Sequence, residues 1–183
     1  MQTFSYRTAP LSLKLAVTGW LLLAVEGLGF AGLQIYVRTG LTPSGALRHY
    51  LGDEATLRQP MSIMEIVGIT HAHGFSMPLV AAALAFAFIA SSVRESLKIL
   101  VVVALFMGMV LELGLPWLVR YGPAWGLHWG VHLFPLAGVL LVGGLFTSVA
   151  VPLYEMWWPS SKPAVTAARP PQLQEAPRLR RAR

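Results

Sequence analysis

Residues 62–90 read SIMEIVGITHAHGFSMPLVAAALAFAFIA. About 20 apolar residues, each rising 1.5 Å along a helix, cross a hydrocarbon core about 30 Å thick. This run is long enough to do so. Its one acid, Glu65, stands three residues after Ser62. That spacing is a capping box, which marks the start of a helix and accounts for the charge. His71 and His73 have no such explanation. A charged group at bilayer depth costs about 2.5–3.5 kcal/mol on insertion scales, so ionisable residues there tend to carry function.

The rest of the chain reads the same way. Of its 183 residues, 55% are hydrophobic and 12% charged, against about 25% charged in soluble domains. Mean hydropathy is +0.60. Three further apolar runs cover residues 15–37, 97–119 and 124–153. The first is longer than the 7–15 residues of a signal-peptide core and reads as a retained span. The expected fold is all-α: an integral membrane four-helix bundle over residues 1–158, with spans at about 15–37, 62–90, 97–119 and 124–153. Residues 159–183 are rich in Pro, Ala and Arg and are expected to be a disordered tail.

The long connection, 38–61, contains Thr42-Pro43, a helix-start signal, and Gly52, a stop signal. Between them Ala46, Leu47, Tyr50 and Leu51 fall on one side, and Arg48 and His49 on another. This suits a short helix lying on the membrane surface. Tyr154, Trp157 and Trp158 form an aromatic belt after the last span.

There is no cysteine, which excludes disulfides, iron–sulfur clusters, thiolate haem ligation and c-type attachment. The net charge of +6 does not indicate nucleic acid, because six of the fourteen Lys and Arg lie beyond residue 160. Basic flanks orient the bundle. Ten Lys and Arg fall on the side of the termini, and four (Arg38, Arg48, Arg58, Arg120) on the other. Both termini are therefore expected in the cytoplasm. The expected location is a multi-pass position in a bacterial inner membrane.

With that topology His71, His73, His128 and His132 share the outer third of the membrane. Glu112 lies beyond the midpoint of its span toward the same face, and Glu26 lies near the middle of the first. His128 and His132, four apart, share a helix face. His71 and His73 are about 200° apart around their helix. Pro78, Pro116 and Pro135 fall in the same half and remove backbone bonds there, which is tolerated where backbone lines a cavity.

Imidazole is a common haem ligand. One histidine from each of two parallel helices can hold a haem b iron, with His73 and His132 as ligands and His71 and His128 as alternates. Gly74 leaves room for a flat porphyrin. Glu112 is the candidate proton acceptor at a quinol site, or else a buried acid bonded to His128 or His132. Glu26 is expected to be a neutral acid bonded to another helix. Copper or iron without porphyrin is a further expectation. Met61, Met64, Met77, Met107 and Met109 lie near the histidines, and thioether with imidazole suits Cu(I). A dimetal site from Glu26, Glu112, His128 and His132 lacks the paired E-x-x-H pattern.

A different class of function is a non-catalytic accessory subunit. Gly27, Gly29, Gly32, Gly143 and Gly144 would then allow close helix contact. Expected partners are the lipid bilayer, other membrane-complex subunits, and a quinol or periplasmic electron carrier.

The segments ITHAHGFSMPL (69–79), GLHWGVHLFP (126–135) and VPLYEMW (151–157) resemble small bacterial four-span inner-membrane proteins of cytochrome-b-like character. The resemblance covers spans two to four. No helix carries the two widely spaced histidines of a standard dihaem cytochrome. At most one centre, on one side of the membrane, is expected.

Overall fold

The computed structural model describes residues 4–158. The expected tail, 159–183, lies outside the described residues. The helices are α1 (Leu11–Thr39), α2 (Pro43–Leu51), α3 (Ile63–Ile89), α4 (Glu95–Tyr121) and α5 (Ala124–Trp157). Two 3-10 turns, Tyr6–Thr8 and Glu54–Thr56, complete the secondary structure among the described residues. α1, α3, α4 and α5 are each long and apolar enough to cross a membrane. The protein is an all-α membrane helical bundle.

Local chemistry sets the helix ends. Ser62 and Glu65 form the expected capping box, with Ser62 N donating to Glu65 Oε2 at 2.7 Å and Glu65 N to Ser62 Oγ at 3.3 Å. Thr42 Oγ1 accepts from Gly45 N at 3.0 Å, with Pro43 in the first turn of α2. Gly52 ends α2 at φ +85°, and a Cβ there would stand 2.6 Å from Arg58 O. Pro78, Pro116, Pro135 and Pro152 all lie inside helices.

The closest helix pair is α4 with α5. A Cβ on Gly108 would come within 2.6 Å of Leu141 N, and one on Gly144 within 3.1 Å of Leu105 Cα. Lipid tails are as apolar as leucine, so dispersion between closely approached backbones holds such pairs together. Gly144 is thus used inside the chain. At Gly27, Gly29, Gly32 and Gly143 a Cβ would meet nothing within 4 Å, so these glycines make no close contact among the described residues. The core joins Leu21 of α1, Leu84 and Phe88 of α3, Leu105 of α4, and Leu145 and Val149 of α5.

The chain's described ends meet at one end of the bundle, here called the terminal end. Tyr6 donates its OH to Ala87 O at 2.7 Å. Lys14 Nζ donates to Met156 O at 3.2 Å. Trp157 Nε1 donates to Thr18 Oγ1 at 2.8 Å. The α3–α4 turn is fixed by Glu155, which is buried and accepts from Ser92 N at 2.9 Å and Ser92 Oγ at 2.6 Å. Leaving these donors unsatisfied costs about 1–3 kcal/mol. Glu155→Ala is expected to lose that much stability in a detergent unfolding titration, and Glu155→Gln less.

The opposite end, the α2 end, is capped by α2. This helix packs against α1, α4 and α5, where the sequence suggested one lying on the membrane. Gly45, Ala46 and His49 are buried. His49 therefore belongs to the packed side, contrary to its expected place beside Arg48. Its partner explains this: Arg58 Nη2 stands 2.6 Å from His49 Nδ1. A guanidinium only donates, so Nδ1 is the acceptor.

Candidate functional site

The α2 end holds all five histidines and Glu112. It divides into two groups around α2.

The first group contains Glu112 of α4, His73 of α3, Tyr50 of α2 and Phe134 of α5. Glu112 is half-buried and within electrostatic reach of both His73 and Tyr50. The Tyr50 ring stacks on Phe134, with centroids 5.6 Å apart and planes 7° from parallel. Burial, and secondarily the Glu112 charge, push the Tyr50 hydroxyl up to about 12. Tyr50 is therefore a protonated donor near the acid at ordinary pH. His73 Nδ1 lies 2.8 Å from Ile69 O. A carbonyl only accepts, so Nδ1 carries the proton and Nε2 is left free. Beside it, Gly74 faces open space: a Cβ there would touch nothing within 4 Å.

The second group is His128 and His132, one turn apart on α5, with ring centroids 5.9 Å apart. They border a cavity of about 250 Å³ with Leu47 of α2 and Ala124, Leu127 and Val131. No methionine lines it, so the thioethers that suggested Cu(I) are absent from this cavity. His71 turns elsewhere, with its ring edge-on to Phe75 at 5.4 Å.

All four span histidines are exposed on the surface of the chain. Among the described residues, no group of three or more His, Asp or Glu side chains is placed to hold a metal ion. Glu112 has His73 and Tyr50 as neighbours, where a bond to His128 or His132 was one expectation. Glu26 is exposed on α1 and bonds to no other helix among the described residues.

Two cross-links tie α4 to α3 and to the loop before it at this end. Trp117 Nε1 donates to Thr70 Oγ1 at 2.8 Å, and Arg120 Nε to Met61 O at 3.0 Å. Sequence reading passed over Trp117, Arg120, Tyr50 and His49. Arg120 counted only as a basic flank and Trp117 carried no reading, because their partners are distant in the chain.

A family model for a transmembrane helical domain matches residues 40–163. The chain belongs to this Aq_1264_TM family. No curated protein and no solved structure matches it. The Aq_1264_TM match begins at the α1–α2 turn, so it takes in α2 through α5 and leaves out α1. Every histidine and Glu112 thus lies within the Aq_1264_TM domain, and Glu26 lies outside it. Membership makes the chain a multi-pass membrane protein in contact with lipid.

His49 gives a pH dependence. Burial, then the Arg58 and Arg38 charges, lower its pKa from 6.5 to about 4. The unfolded chain therefore binds this proton more readily than the folded one between those values. The neutral histidine's contribution is complete above about pH 6.5 and is lost as pH falls toward 4. Allowing for solvent screening at this end of the bundle, the loss is about 1–2 kcal/mol. Thermal midpoints in detergent are expected to fall over that window, and less steeply in His49→Gln.

Proposed function

We propose that the protein is a membrane electron-transfer subunit that holds one b-type haem at the α2 end, with His73 and His132 as its ligands. The observation that carries the reading is the state of His73. Metal-bound histidines commonly donate their second ring nitrogen to a backbone carbonyl, which fixes the ring and its tautomer. His73 does this through Nδ1 to Ile69 O and presents Nε2 beside the open backbone at Gly74. The exposed, unpacked stretch of α3 from His71 to Ser76 leaves room for a planar group. Haem would supply one-electron chemistry there. Glu112, near both His73 and Tyr50, is the proton acceptor in this reading, for a quinol bound at the same end. The excess of basic residues on the terminal side supports cytoplasmic termini, which puts the centre at the outer face of a bacterial inner membrane.

A second reading is favoured by the α5 pair. His128 and His132, at i and i+4, suit a bare ion such as copper or iron. A visible spectrum with metal analysis of the purified protein separates the two readings. A Soret band supports haem, and metal without one supports the ion. A colourless, metal-free protein copurifying with a larger complex supports the non-catalytic accessory subunit.

A further inference from the structure

Two stripes run along α1. Val17, Leu21, Ala24 and Leu28 turn inward and join the core. About 150° away around the helix, from the 3.6-residue turn, lie Leu15, Gly19, Leu22, Glu26, Gly29 and Leu33. All six are exposed. Their spacing is 4, 3, 4, 3, 4. That is an unbroken heptad seam with a period of 3.5, the pattern of a helix that packs along its length against a second helix. Among the described residues nothing covers the seam. Added Cβ atoms at Gly19 and Gly29 would meet nothing within 4 Å.

Glu26 is the second observation. It sits at the middle of a 29-residue helix, at the depth where a charged side chain is most costly. It has no partner among the described residues. A protonated carboxyl both donates and accepts, so it is complementary to a copy of itself. In a parallel two-fold pair, a residue on the seam meets its own counterpart. A polar group at one seam position also fixes the register of such a pair.

We infer that the protein is a homodimer joined through α1, with the two Glu26 side chains hydrogen-bonded to each other at mid-membrane. Gly19 and Gly29 let the two backbones approach on either side of that pair. This does not rest on the haem reading.

The chain has no cysteine, so single-cysteine variants report proximity without background. Oxidation in native membranes is expected to cross-link Leu15→Cys, Leu22→Cys and Leu33→Cys into a species of twice the 19.9 kDa chain. Ala31→Cys, exposed but about 140° away around the helix, stays monomeric. Adding Glu26→Leu to Leu22→Cys lowers the cross-linked fraction roughly three- to tenfold, and Glu26→Gln, also self-complementary, restores it. Glu26 has no partner among the described residues, so Glu26→Leu leaves the monomer's unfolding midpoint in detergent in place. Equal cross-linking at all four positions, none at any, or a product of another mass overturns the inference.

Discussion

His73→Ala and His132→Ala are each expected to cut haem content at least about tenfold, since even loss of a group that merely orients a ligand costs 10–100-fold in metal affinity. The readout is the Soret band, with sharp α and β bands on reduction, per mole of protein purified from its own membranes. His71→Ala is the control within α3. Its ring lies edge-on to Phe75, so the band survives. Glu112→Gln also keeps the band, because in the proposed reading the acid takes a proton and does not bind iron. Oxidation of a quinol analogue by that variant slows, and its pH dependence flattens. Haem retained in both His73→Ala and His132→Ala would sink the assignment. So would a haem lost only in His128→Ala, which would move the centre to the α5 pair.

The largest effect on stability is expected from Gly108→Val. The new Cβ would come within 2.6 Å of Leu141 N and 2.9 Å of Leu141 Cα. These are backbone atoms, so no rotamer change relieves the clash, and α4 must separate from α5. Overpacking of this kind costs about 1–3 kcal/mol, occasionally more. We place Gly108→Val at about 3 kcal/mol in an unfolding titration in mixed micelles. Gly143→Ala is the contrast. It lies in the same helix pair, but a Cβ there meets nothing, and replacing glycine in a helix gains up to about 1 kcal/mol. Equal losses in the two variants would mean that the α4–α5 approach is not what holds the pair.

The difference between these two glycines marks the boundary of what the sequence reveals. Gly143 and Gly144 are adjacent letters with the same composition around them. Only the rotation of α5 against α4 makes one indispensable and the other idle. Likewise His49 and Arg48 sit side by side on a short amphipathic helix, and a helical projection puts both with the solvent. The partner that turns His49 inward is Arg58, across a loop whose course no periodicity encodes. Glu155 lies between Tyr154 and Trp157 of the aromatic belt, and nothing local in the sequence assigns it a role. Its role depends on Ser92, 63 residues earlier.

The amino-acid sequence by itself determined the four spans, the capping box at Ser62 and Glu65, the helix stop at Gly52, and the placement of the span histidines and Glu112 at one end. Each follows from local quantities: run length against bilayer thickness, cap spacing, and glycine at positive φ. Tertiary structure decided which polar groups become neighbours. It set Glu112 beside His73 and Tyr50, left His128 and His132 on their own cavity, and left Glu26 exposed on α1. Those outcomes depend on the rotation and offset of helices about one another. In lipid these are fixed by backbone approach and side-chain packing between distant segments, and not by the pattern of apolar residues along any one of them.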